Sequence, residues 1–138
     1  MKFSVNTPCP CGSLKKYKKC CKPFHDEITL PHTALELMKS RFCAFAVQKC
    51  KYIISTTHPT NIDFSNDTES WSIDIINVSK NTNFDRLEIL DFNDAENECF
   101  VTFKAILTQN NSDASFTEKS RFLKVDGKWF YIDGQFID

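Results

Sequence analysis

Glycine is scarce in this chain, three among 138 residues. No Gly-rich phosphate loop, His-Glu-x-x-His metal motif or Gly-x-Ser-x-Gly nucleophile turn occurs. Long apolar runs are missing too. Nothing approaches the roughly 18 consecutive apolar residues of a membrane span, and Met1–Gly12 has no signal-like hydrophobic region. The expectation is a cytoplasmic protein with no membrane span. Acid is absent from residues 1–24, which hold Lys2, Lys15, Lys16, Lys18, Lys19 and Lys22. With a net charge of −1, this head of +6 leaves −7 on the remainder. By contrast, 13 Phe and 41% apolar residues supply a genuine core rich in aromatic area.

Cysteine is what the chain has in unusual arrangement. Seven is an odd number, which fits a fully paired disulfide framework poorly. Four of the seven fall in one short run, Cys9-Pro10-Cys11 and Cys20-Cys21. Two close thiol pairs joined by a short loop can surround one tetrahedral ion, and in a reducing compartment such clusters mean metal rather than disulfide. Gly12 follows Cys11 where the chain must turn, and glycine reaches positive φ at little cost. Four protein ligands leave no open position, so the site is structural rather than catalytic. The segment is too short for its own core, so metal supplies most of its folding energy, up to about 10–16 kcal/mol apparent for structural zinc. Tetrahedral sulfur suits zinc and also iron.

The lysines admit two readings. They neutralise thiolates and solvate a loop, or they form a contact surface for nucleic acid or an acidic protein patch. Tyr17, inside that run, either stacks on a base or packs over the metal loop. His25 is a substitute ligand only if Cys21 does not complete the set.

The run Cys9-Pro10-Cys11-Gly12-Ser13 … Lys15-Lys16-Tyr17-Lys18-Lys19-Cys20-Cys21 resembles the SEC-C motif, the metal-binding tail of the SecA secretion motor. Leu14 departs from the Gly often found there. The resemblance implies Cys9, Cys11, Cys20 and Cys21 as zinc ligands and suggests contacts with ribosomes or chaperones. A SEC-C segment at 1–24, a linker at 25–32 and a domain at 33–138 follow.

In that domain, Thr33-Ala34-Leu35-Glu36 matches a capping box, and Leu35, Met38, Phe42, Phe45 and Ala46 recur at helical spacing. A second short helix carries Tyr52, Ile53 and Ile54 and stops before Pro59. For Asp67–Val78, Trp71, Ile75 and Val78 fit a helix while Trp71, Ile73 and Ile75 fit a strand. Asp67 with Glu69 and Ser70 suits a first helical turn and favours the helix. Beyond Asn83 the period becomes two, from Leu87 and Ile89 through Cys99, Val101, Phe103, Ala105 and Leu107. Turns are expected at Asn93-Asp94 and Asn110–Asp113. Asp126-Gly127 predicts a type I′ hairpin, with Val125 opposite Lys128 and Phe122 opposite Tyr131. Counting by two puts Glu118, Ser120, Phe122, Trp129, Tyr131 and Asp133 on one face, and Arg121, Leu123, Phe130 and Ile132 on the other. Helices followed by an antiparallel meander read as α+β.

Ser40-Arg41-Phe42-Cys43-Ala44-Phe45, Tyr52-Ile53-Ile54, His58-Pro59 and Ser120-Arg121-Phe122-Leu123 … Gly127-Lys128-Trp129-Phe130-Tyr131-Ile132-Asp133-Gly134 resemble the YchJ family. That resemblance implies a nuclear transport factor 2-like domain, a cone-like curved sheet packed on the N-terminal helices. Cone folds often enclose a pocket, and Arg41, His58, Trp71, Arg121, Tyr131 and Asp133 are its candidate residues. Each has a plainer alternative. His58 before Pro59 suits a helix end, Asp133 a strand end, and Arg121 a carboxylate pair; the aromatics suit the core, as do Cys43, Cys50 and Cys99. No catalytic residue is assigned. The expected function is a zinc-binding adaptor whose head docks a protein, a ribosome or RNA through Lys15, Lys16, Tyr17, Lys18, Lys19 and Lys22. The alternative is a cone that binds or converts a small molecule, with the metal segment only structural.

Overall fold

The computed structural model describes residues 3–138. Lys2, counted in the basic head, lies outside them. In chain order come a 3-10 turn at Tyr17–Lys19 and four helices, α1 (Lys22–His25), α2 (Ala34–Val47), α3 (Cys50–Ser55) and α4 (Thr68–Lys80). Five strands follow, β1 (Asn83–Phe92), β2 (Glu98–Gln109), β3 (Ser112–Asp113), β4 (Phe116–Val125) and β5 (Lys128–Ile137). The fold class is α+β, as expected.

The helices begin where their caps stand. The Thr33 hydroxyl accepts the Glu36 N–H at 3.0 Å, and Glu36 accepts from the backbone of His32, one residue earlier than a reciprocal box requires. Asp67 accepts the Ser70 N–H at 3.1 Å and starts α4, so the ambiguous segment is helical. Gln48 ends α2 in the left-handed region with φ 63°.

The sheet is an antiparallel meander in the order β1-β2-β4-β5, with β3 paired to β2. The expected hairpin is present. Asp126 and Gly127 both have positive φ, 50° and 79°, and Val125 faces Lys128. Asn110 and Asn111 make a second turn of the same kind, with φ 50° and 62°. The inward faces of β2 and β4 bury Cys99, Val101, Phe103, Ala105, Leu107, Ser120 and Phe122 against Leu37, Met38 and Phe42 of α2 and Ile53 of α3. Each such apolar side chain contributes about 1.5–3 kcal/mol by leaving water.

Bulges interrupt β1 near Asp85 and Leu90, and β5 at Ile132. A bulge bends its strand and increases twist, which curves the sheet over α2. The bulge in β5 also corrects the two-residue count. Phe122 faces Tyr131, yet Arg121 faces Asp133, so Ile132 is one residue too many for its partner strand. Asp133 is thereby moved off the face of Tyr131 and onto that of Arg121. The outer edge of β5 is covered: the Tyr131 N–H donates to Thr56 O and the His58 N–H to Tyr131 O, both at 2.9 Å.

The 24/25 boundary cuts through α1, and His25 is buried. The linker stretch therefore begins as part of the packed head. Among the described residues, no helix is long and apolar enough to cross a membrane.

Candidate metal centre and cavity

The head is a small knuckle. Its chain doubles back so that Pro8 pairs with Lys16, and the Cys9 N–H donates to Lys15 O at 2.8 Å. Gly12, at φ 87°, makes the turn and donates its N–H to Cys9 O at 3.1 Å; Leu14 follows at φ 71° on the tip. The fold brings the sulfurs of Cys9, Cys11, Cys20 and Cys21 within 4.8 Å of one another. A tetrahedral zinc with bonds of about 2.3 Å needs sulfurs about 3.8 Å apart, so a small contraction closes the cage. Three of the four thiols are buried and Cys20 is partly so. Hydrogen bonds from Cys11, Cys21 and Cys43 hold the Cys9 sulfur well below the ordinary thiol range, whereas burial pushes Cys20 up to about 11. Without a cation the cluster cannot bear four negative charges together, and a divalent ion replaces the protons. The donor set fits a soft or borderline transition metal.

A fifth thiol completes the surroundings. Cys43 of α2 is fully buried, with its sulfur 3.6 Å from that of Cys9. It is therefore a packing residue as expected, but packed against the metal centre rather than the core of the cone. Tyr17 is only 2% exposed, edge-on to Phe3, with its hydroxyl donating to His25 Nδ1 at 2.7 Å. It cannot stack on a base; it roofs the metal loop. His25 donates from Nε2 to Ser40 O at 2.8 Å, so both ring nitrogens are engaged and it is not a ligand. Lys15, Lys16, Lys18 and Lys19 are exposed. No described carboxylate lies within 4.0 Å of them, while Lys22 pairs with Asp26.

Between the concave sheet and α2 lies a cavity of about 430 Å³, floored by aromatics such as Phe42, Phe103, Phe116 and Phe122. Of the six sequence candidates, Arg41 and Tyr131 line it. Arg41 Nη1 donates to Ile53 O at 3.0 Å, Thr56 Oγ1 at 2.8 Å and Thr57 Oγ1 at 3.1 Å. Its guanidinium carbon lies 4.7 Å from the Tyr131 ring centroid. Burial draws Arg41 down to about 10. The other four candidates are elsewhere. Arg121 and Asp133 pair on the outer face, Nη2 to Oδ2 at 2.9 Å, with Glu98 as a second partner at 3.2 Å; the Ile132 bulge brings Asp133 to the Arg121 face. His58 accepts the Thr60 N–H at its Nδ1 and meets Phe130 edge-on, outside the cone. It therefore closes a turn and bonds no helix carbonyl. Trp71 packs on Phe64 at 5.6 Å instead of facing the cavity.

Glu118 and Ser120 are among the polar cavity groups that were not candidates. Glu118 Oε2 accepts from the Ser120 hydroxyl and, at 3.1 Å, from the Tyr131 hydroxyl. Neighbouring Glu118 and burial, burial foremost, raise Tyr131 above its ordinary value. The signal was present in β4 as two polar residues at inward positions beside Phe122.

Comparison with known proteins agrees with this architecture. Residues 33–134 match the model of the YchJ middle NTF2-like domain, and residues 6–23 match the SEC-C motif. The chain belongs to the YchJ middle NTF2-like family. The solution structure of a SEC-C motif containing protein from Rhodopseudomonas palustris is similar at TM-score 0.81 and 28% identity, over 96% of this chain and 100% of that one. The crystal structure of a SEC-C motif containing protein from Psychrobacter arcticus gives 0.77 and 26%, over 94% and 82%. A third solved chain, named for NTF2, matches at TM-score 0.58 and 11% identity over 75% of this chain and 96% of its own, and shows the fold alone.

Proposed function

We propose that this YchJ-like chain is a cytoplasmic metal-binding adaptor whose SEC-C head docks an anionic macromolecule, with ribosomal RNA the first candidate. The observation that carries the reading is Lys15, Lys16, Lys18 and Lys19 standing exposed around a closed four-thiol site with no carboxylate partner among the described residues. Burial of Tyr17 makes that surface one of point charges without stacking. Zinc is the expected ion, iron the competitor, and elemental analysis of protein purified without added metal decides between them. Binding to ribosomes or RNA is measured against salt. Each lysine contact contributes about 0.7–0.9 to the slope of log affinity on log salt. Replacing the four lysines by Gln should flatten that slope while the metal stays bound. Absent or salt-independent binding refutes the docking role.

The cavity beside Arg41 supports a second reading, in which the cone holds a small molecule and the head is structural. It assigns binding and no chemistry.

A further inference from the structure

Resting on that second reading, we infer that the cavity takes a small amphipathic monocarboxylate, its acid on Arg41 and its apolar body among Phe42, Phe103, Phe116 and Phe122. The molecule contains two contrasting arginines. Arg121 on the open outer face has two carboxylates, Asp133 and Glu98. Arg41, drawn into the cavity wall, has none within 4.0 Å among the described residues. Arg41 is half-buried; partial withdrawal of a guanidinium from water without an ion-paired carboxylate is costly, and three neutral acceptors on Nη1 compensate only in part. Those three bonds and the Tyr131 ring fix the group, while Nε and Nη2 make no hydrogen bond to any described residue. What remains is the paired-donor edge that a carboxylate engages with two parallel bonds.

Glu118 lines the same cavity but does not fill this role. Its Oε2 is held by the Ser120 and Tyr131 hydroxyls, in a position that depends on Gly134 having no side chain. Its charge, with Asp63 also in the lining, limits the ligand's charge. Arg41 is the only cation among the lining residues and pairs with one anionic group; the second charge of a dianion such as a phosphate monoester would have no partner and would double the repulsion from Asp63 and Glu118. One negative charge and an apolar body match the wall. A volume of about 430 Å³ lies within the usual range for small-molecule sites.

The test uses the full metal-loaded chain with methyl-labelled methionine. The chain holds two methionines, and Met38 lines the cavity, so its methyl resonance reports occupancy. Three probes of one shape are titrated: 4-phenylbutanoate, 4-phenylbutanamide and 4-phenylbutylamine. The acid should move the Met38 signal with affinity about tenfold or more tighter than either other probe, the worth of a charge-assisted hydrogen bond. Arg41→Gln should make acid and amide equal. Because Arg41 also bonds Ile53, Thr56 and Thr57, Arg41→Lys serves where Gln unfolds the chain, and should narrow the preference. Amide or amine binding as tightly as the acid overturns the carboxylate assignment and leaves the cavity reading standing. Failure of all three to move Met38 overturns both.

Discussion

Gly134→Ala is the smallest change that tests the polar wall of the cavity. Gly134 has no positive φ, so its backbone accepts alanine, and in a strand that exchange alone stabilises by about 0.5–1 kcal/mol. The new Cβ would lie 2.5 Å from Glu118 Cδ and 2.8 Å from the Tyr131 hydroxyl oxygen. Carbon atoms pack at about 3.5–4.0 Å, so the Glu118 carboxylate must leave its seat. It then loses hydrogen bonds from Ser120 and Tyr131, each worth about 1.5–3 kcal/mol to a charged group. Water in the cavity returns part of that. The expected balance is a net loss of about 1–3 kcal/mol, read from urea unfolding at unchanged slope. The decisive arm is a double-mutant cycle: with Glu118→Ala in place only the Tyr131 hydroxyl, freed of its carboxylate partner, has to shift, and Gly134→Ala should cost markedly less than in the wild type. Equal destabilisation in both backgrounds, or stabilisation in the wild type, would refute the steric argument.

Two further outcomes follow from single residues. Gly127→Ala meets nothing within 4 Å, so its cost is the positive φ of 79° alone, about 1–2 kcal/mol in thermal or urea unfolding; a neutral result would contradict the type I′ turn. His25 is neutral in the fold, accepting at Nδ1 and donating at Nε2, and burial lowers its affinity for a proton below the ordinary 6.5. The unfolded chain therefore binds that proton first. The stability due to His25 is complete above pH 6.5 and is lost as pH falls toward the depressed folded value. Wild type should lose more stability than His25→Gln between pH 7.5 and 5.5, the difference cancelling protons linked to the metal; parallel pH curves would contradict this.

Much of the architecture was legible because its signals are local. Thr33 and Asp67 cap their helices from their own sequence neighbourhoods, Asp126-Gly127 dictates its turn, and four thiols in a short run specify a cage wherever the segment lies. The failures share one cause, contacts set by residues far along the chain. Nothing near Ile132 marks it as the extra residue of a bulge, so counting by two carries Asp133 to the wrong face, while it already sets Arg121 on the outer one. Tyr17 stands among exposed lysines, and the cysteine cluster, Phe3, His25 and Cys43 of α2 bury it. Cys43 has no spacing relation to the motif, since α2 brings it there. Arg41 is legible through the run Ser40-Arg41-Phe42-Cys43-Ala44-Phe45, whose resemblance to the family implies the cone and its pocket. Glu118 was passed over because its neighbours on the same face were counted as core.

One element serves both halves of the molecule. Along α2, Ser40 accepts the His25 bond and Cys43 lies against Cys9, so one side of the helix carries the metal head. Met38, Arg41, Phe42 and Phe45, interleaved with them, line the cavity. The Ser40 hydroxyl donates to Leu37 O and meets the Tyr52 hydroxyl at 2.7 Å, tying α2 to α3. Residues Ile53 to Thr57, in and just after α3, supply the three acceptors that hold Arg41. Were an ion to supply most of the folding energy of so short a head, its loss would weaken the packing on Ser40 and Cys43 together. The strain would then fall on the turn of helix that aims Arg41. Metal content would then be a variable of the cavity as well as of the head, and affinities for either surface should be compared at matched occupancy.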